Sequence, residues 1–150
     1  MDSYTIYCDG SYQASIECGG WSAIIIKDDT IIKKLYCGCK HTTNNRMELK
    51  GVLEALKYFK TPSILTIYSD SQYVVNSINA KQVYKWFEEH DYSKKNLDLW
   101  FEIIDLLDFH TVNFIWVKGH NKNKYNELAD LLAVHAAQCL NLEEDVPISI

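Results

Sequence analysis

The sequence predicts a mixed α/β fold: a five-stranded sheet, three antiparallel strands extended by two parallel ones, flanked by helices. Three observations predict it. The first ~40 residues form strand-length stretches separated by Asp-Gly, Gly-Gly and Asp-Asp turn signals. After them, apolar residues recur at helical spacing from Leu49 onward. Two short apolar runs, 64–68 and 112–117, then lie between helical segments, as parallel strands reached by crossovers do. At 150 residues the chain is about one domain around a single core.

Residues 4–8, Tyr-Thr-Ile-Tyr-Cys, alternate as a strand and stop at Asp9-Gly10-Ser11, which reads as a turn. Asp9 is therefore expected at a strand's carboxyl end. Gly19-Gly20 precede a nearly continuous apolar strand over 21–27, and Asp28-Asp29 turn the chain into a third strand over 31–39. In Thr42-Thr43-Asn44-Asn45-Arg46-Met47-Glu48-Leu49, Asn45 is expected to cap a helix, with Glu48 reaching back three residues as in a capping box. Leu49, Val52, Leu53 and Leu56 give that helix an apolar stripe as far as about Phe59, before Thr61-Pro62 break it.

The run 64–68 ends at Ser69-Asp70-Ser71, a second Asp at a strand end. Ser71 or Asp70 opens a helix through Tyr73, Val74, Val75 and Ile78. Residues 81–96 are a polar segment of mixed charge carrying Trp86; 97–107 read as a helix, 112–117 as a strand and 119–124 as a loop. A final helix over 126–140 carries Leu128, Leu131, Leu132 and His135 on one side. The last ten residues include Pro147 and show no helical period, so the chain divides into a domain over 1–140 and an acidic tail over 141–150, expected to be mobile.

Composition narrows the function classes. No apolar run approaches the ~20 residues that span a bilayer, and the N-terminus lacks a basic region followed by an apolar core. The expectation is a cytoplasmic protein with no membrane partner. Cys8, Cys37 and Cys39 fall in strands, and no Cys/His pair follows Cys37-Gly38-Cys39 at zinc spacing. The net charge of −5 argues against a nucleic-acid partner, but three acids lie in the tail (Glu143, Glu144, Asp145) and four are candidate ligands. Without those seven the balance turns positive.

The candidates are Asp9, Glu48, Asp70 and Asp130. Sites in open α/β sheets form beyond the carboxyl ends of strands, where Asp9 and Asp70 are expected. Each Asp alone reads as turn chemistry, and Glu48 alone as a helix-start residue. On adjacent strands, with Glu48 on the intervening helix, they converge. Asp130 sits among Leu128, Ala129, Leu131, Leu132 and Ala133, where a buried carboxylate needs a partner. At 4 Å and an effective dielectric near 20, each like-charged pair repels by about 4 kcal/mol, so gathered carboxylates call for a cation. An all-carboxylate set selects Mg²⁺ or Mn²⁺.

Asp9-Gly10-Ser11, Thr43-Asn44-Asn45-Arg46-Met47-Glu48-Leu49, Ser69-Asp70-Ser71-Gln72-Tyr73-Val74, Trp116-Val117-Lys118-Gly119-His120 and Asn126-Glu127-Leu128-Ala129-Asp130 together resemble the type 1 ribonuclease H family, in order and spacing, from about Tyr4 to Ala137. The resemblance implies a ribonuclease H-like fold and an endoribonuclease, expected to be a monomer, that cuts the RNA strand of an RNA/DNA hybrid and leaves 3′-hydroxyl and 5′-phosphate ends. It implies that Asp9, Glu48, Asp70 and Asp130 hold a pair of Mg²⁺ ions, for which Mn²⁺ can substitute, and that His120 assists proton transfer or product departure. It further implies substrate contacts at Asn44, Asn45, Gln72 and Glu48 in the minor groove, at His41, Thr43 and Asn96 around a DNA-strand phosphate, at Gly10 and Ser11, and at Lys85 and Trp86 on a basic protrusion.

Two departures from the family pattern carry expectations. The stretch after Ser11 has no glycine until Gly19, and the protrusion is short, its Lys81, Lys85, Lys94 and Lys95 diluted by Glu88, Glu89 and Asp91. Weak, salt-sensitive hybrid binding follows. The alternative reading is a catalytically weak hybrid-binding module of the same fold. A proofreading exonuclease would need Asp-x-Glu where this chain has Asp9-Gly10-Ser11, and an actin-like ATPase would need two such domains.

Overall fold

The computed structural model describes residues 1–90, 93–119, 123–138 and 142–145. Three long strands open the chain: β1 (Ser3–Gln13), β2 (Cys18–Lys27) and β3 (Thr30–Lys40). Helix α1 (Asn44–Tyr58) leads to β4 (Ile64–Ser69), which is followed by α2 (Gln72–Asn79), α3 (Gln82–Glu88) and α4 (Leu97–Phe109). Strand β5 (Thr111–Trp116), helix α5 (Lys124–Ala137) and the two-residue strand β6 (Glu143–Glu144) complete the described chain. The sheet order is β5-β4-β1-β2-β3-β6, with β1–β2 and β2–β3 antiparallel and the other pairs parallel. The mixed α/β expectation holds, with six strands in place of five.

The alternation of β1 and β2 explains why both sheet faces are covered. Ile6, Cys8, Ala23 and Ile25 point toward Leu49, Val52, Leu53 and Leu56 of α1. Tyr7, Ile24 and Ile26 point the other way, onto Ala129 of α5. Each such Ile or Leu contributes about 1.5–3 kcal/mol by leaving water. The strand β2 is buried along nearly its whole length because helices cover both its faces.

Helix α5 differs from its expected form. Its buried side is Ala129, Ala133, Ala136 and Ala137, while Leu131 is 63% exposed. Small residues let the helix lie close on the sheet: a side chain at Gly20 would strike the Ala133 carbonyl. The helix begins at Lys124 under an Asn123 cap, and the expected residues 139 and 140 lie outside the described residues.

Within the acidic tail, residues 143–145 lie against the domain. Glu143 and Glu144 pair with Cys39 and Lys40 on the edge of β3. Asp145 is buried against Thr42, Arg46 and Lys50. Three donors for one carboxylate hold this part of the tail against the domain. The remaining tail residues, 141 and 146–150, lie outside the described set.

Candidate active site

Asp9 does not terminate its strand. Strand β1 runs on to Gln13 because antiparallel β2 keeps pairing with it, Asp9 opposite Ser22. The parallel neighbour β4 stops earlier, with Cys8 opposite Ser69 as the last pair. Asp9 and Asp70 therefore each stand one residue beyond that last pair, at the place where the sheet splits.

Glu48 comes to them from α1. That helix is capped by Thr43, whose side chain accepts from the Arg46 N–H at 3.2 Å, and not by the expected Asn45. Asn44 and Asn45 are exposed in its first turn. The Glu48 carboxylate does not fold back on its own helix. Its Oε1 accepts from the Gly10 N–H at 2.9 Å. A side chain at Gly10 would collide with the Glu48 backbone, so only glycine lets α1 come this close to β1.

The result is a cluster in which one carboxylate oxygen each from Asp9, Glu48 and Asp70 lies within 4.8 Å of the others. Asp9 is 2% exposed and Glu48 5%, while Asp70 is half-buried. Gly10 N–H also donates to Asp9 Oδ1 at 2.9 Å. The second oxygens, Asp9 Oδ2 and Glu48 Oε2, are buried without a hydrogen-bond partner among the described residues. Burial first, then the charges of Glu48 and Asp70, pushes the Asp9 carboxyl far above the usual carboxylate range. Burial and the Asp70 charge likewise raise Glu48. Two orphaned acceptors in an all-oxygen set fit a hard divalent cation.

Other side chains hold this cluster in place. Trp116 at the end of β5 donates its indole N–H to the Asp70 carbonyl at 3.2 Å. Ser71 caps α2 by accepting from the Val74 N–H at 3.3 Å, as expected of the Ser-Asp-Ser stretch. Arg46, two residues before Glu48, is buried and forks onto Asp98 at 2.8 Å and Asp145 at 2.7 Å. Sequence reasoning assigned Arg46 no role; the only signal was an arginine inside a buried stretch of α1.

Asp130 stands outside the three-residue cluster. It is half-buried on α5, one residue past Ala129, whose carbonyl accepts from Ser22 Oγ at 2.6 Å. Ser22 is the strand partner of Asp9, so this bond brings Asp130 to the same side of the sheet, and the Asp130 charge contributes to the raised Glu48. His120 lies outside the described residues.

The expected substrate positions lie on several elements. Gly10 and Ser11 are on β1, Thr43, Asn44 and Asn45 at the start of α1, and exposed Gln72 at the start of α2. His41 is exposed and in the left-handed region at φ 51°, with Nδ1 donating to Glu144 Oε2 at 2.9 Å. Asn96, at φ 65°, donates to the Tyr73 hydroxyl at 3.3 Å and accepts from Arg46 Nη1 at 3.4 Å. Lys85 and Trp86 lie on α3, a helix within the segment read only as polar. Lys94 sits 5.7 Å above the Trp86 ring, and Trp86 packs partly on the main core.

Sheet order and carboxylate placement define this as an α/β protein of ribonuclease H-like architecture. A family model described as RNase H matches residues 1–138. The chain belongs to the ribonuclease H family. It is 43% identical over 138 residues to Ribonuclease H of Helicobacter acinonychis (strain Sheeba), covering 92% of this chain and 95% of that protein. Ribonuclease H of Caldicellulosiruptor saccharolyticus is 41% identical over 139 residues, with 89% and 94% covered. Among solved structures, LC9-RNase H1, a type 1 RNase H with the type 2 active-site motif, superposes with TM-score 0.79 at 28% identity, over 91% of this chain and 72% of that one. The Prototype Foamy Virus protease-reverse transcriptase shares the fold, with TM-score 0.80 at 22% identity over 92% of this chain and 21% of that one. Among the described residues no helix is long and apolar enough to cross a membrane.

Proposed function

We propose that this chain is a divalent-metal-dependent endoribonuclease that hydrolyses the RNA strand of RNA/DNA hybrids, leaving 3′-hydroxyl and 5′-phosphate ends. The observation that carries the reading is the convergence of Asp9, Glu48 and Asp70 within 4.8 Å, with buried oxygens on Asp9 and Glu48 that have no partner among the described residues. Left uncompensated, that arrangement is costly, and a purely structural or binding module has no use for it. Asp9, Glu48, Asp70 and Asp130 would hold the cations, Mg²⁺ or in its place Mn²⁺, with the first three already gathered. A pair of such ions supplies the activation of water and the stabilisation of the departing 3′ oxygen.

The rest is positioning by this chain. Gly10, by tying Asp9 and Glu48 to one N–H, orients both carboxylates toward the cleft. Asn44, Asn45 and Gln72, exposed at two helix starts beside the cluster, read the minor groove and its 2′-hydroxyls, together with Gly10 and Ser11. His41, Thr43 and Asn96 receive a phosphate of the DNA strand, and Lys85 with Trp86 on α3 supports its backbone. His120 gives a proton to the leaving oxygen or speeds product departure. The protein acts as a cytoplasmic monomer.

The test is cleavage of an end-labelled RNA/DNA hybrid, beside an RNA duplex and a DNA duplex, with Mg²⁺ and with EDTA. Metal-dependent cutting confined to the RNA of the hybrid is expected. Absence of any such cut, or cutting that survives Asp70→Asn undiminished, refutes the reading.

A further inference from the structure

Residues 143–145 carry three carboxylates to the edge of β3, and two of them, Glu144 and Asp145, reach the corner between β3 and α1, where His41 and Thr42 stand. We propose that Glu144 sets the affinity for the nucleic acid: its carboxylate holds the His41 imidazole in the place of a substrate phosphate, and the hybrid must displace it. The inference rests on the assignment of His41 to the substrate backbone under the proposed function.

The geometry of the pair suits exchange. Glu144 Oε2 accepts from His41 Nδ1 at 2.9 Å, and the two side chains are 54% and 67% exposed. A ligand can reach His41 without unfolding anything, and the bond it replaces is a surface one. A carboxylate oxygen and a phosphate oxygen offer the imidazole N–H the same kind of anionic acceptor, so one excludes the other.

The neighbouring residue keeps the competitor in place. Asp145, its side chain 1% exposed, accepts from Thr42 Oγ1 at 2.6 Å, Arg46 Nε at 2.7 Å and Lys50 Nζ at 3.1 Å. Its backbone N–H donates to the Lys40 carbonyl at 3.2 Å. Removing Asp145 would take an acceptor from Thr42 and Lys50 and leave Arg46 with Asp98 alone, so buried Asp145 is the fixed latch and exposed Glu144 the exchangeable group. A carboxylate tethered one residue from a latch competes at high effective concentration, unlike free anions in solution.

The experiment is steady-state cleavage of a labelled RNA/DNA hybrid with Mg²⁺ at low and moderate salt, using the full chain, Glu144→Gln, His41→Ala and the double variant. Glu144 is exposed, so Glu144→Gln is expected to fold and keep kcat while its KM falls about two- to fivefold, the range of a surface ion pair. In the His41→Ala background the same change is expected to leave KM unaltered. An unchanged or raised KM in Glu144→Gln overturns the proposal. An equal fall in the His41→Ala background overturns it too, because the effect is then long-range charge alone. If the parent chain cuts no hybrid, the proposed function fails and this inference with it; if the parent cuts but Glu144→Gln behaves as the parent does, only the inference fails.

Discussion

Asp9 and Glu48, on different elements, share one hydrogen-bond donor: the Gly10 N–H lies 2.9 Å from Asp9 Oδ1 and 2.9 Å from Glu48 Oε1. Each keeps a second oxygen buried and without a hydrogen-bond partner among the described residues. Two carboxylates so placed are destabilising while ionised and become useful when a cation joins them.

The first prediction follows from the sign of their shifts. Both pKa values are raised, Asp9 and Glu48 alike, mainly by burial. Stability from their neutral forms is full below the unfolded carboxylate value near 4 and is lost as pH rises toward the folded values. In EDTA the protein is therefore expected to lose stability between about pH 4 and pH 8. Asp9→Asn abolishes cleavage yet stabilises the metal-free protein, by about 1–3 kcal/mol at pH 8 and by little near pH 4. Urea denaturation of both proteins across pH checks it; a destabilised Asp9→Asn at pH 8 would contradict it.

Metal addition gives the second. Mg²⁺ or Mn²⁺ at about a hundred times its Kd should stabilise the parent by about 2.7 kcal/mol. Asp70→Asn, which removes one of the three carboxylates, should lose most of that gain. Thermal melts with and without metal read it directly.

The third concerns the latch. Asp145, held by Arg46, Thr42 and Lys50, has its carboxyl lowered to about 2. A lowered pKa contributes stability that is present above the unfolded value and is lost as pH falls through the folded one. Asp145→Ala should cost about 1–3 kcal/mol at pH 7, because Thr42 and Lys50 lose this acceptor while Arg46 keeps Asp98. The difference from the parent should shrink as pH drops from about 4 toward 2. A cost independent of pH would assign the effect to packing.

A fourth prediction separates α3 from the cluster. Lys85→Ala should weaken hybrid binding evenly across sequences and reduce the salt slope by about one. Cleavage at saturating hybrid should stay close to the parent rate. KM measured at several salt concentrations tests it.

Much of this was legible in sequence because the signals were local. Strand alternation, the Leu49-Val52-Leu53-Leu56 stripe and Asp70 just beyond β4 all stand in short windows. What was not legible depends on contacts distant in sequence. Asp9 looked like a turn residue because the continued pairing of β1 with β2 cannot be seen from residues 9–11. Asn45 looked like the cap because Glu48 follows at capping-box spacing; Thr43 caps instead, and Glu48 is drawn away by Gly10, 38 residues earlier. Of the expected apolar side of α5, Leu128 and Leu132 pack beside Ala129, but close approach at Gly20 puts alanines at the fully buried positions and Leu131 is exposed. The acidic tail looked unpartnered because its partner Arg46 lies 99 residues away.

The most direct test is to soak crystals of the protein in Mn²⁺ and locate the metal by its anomalous scattering. The account predicts density between the carboxylates of Asp9, Glu48 and Asp70, lost in Asp70→Asn crystals together with hybrid cleavage. Metal bound elsewhere, or an empty cluster in a protein that still cuts the hybrid, would contradict it.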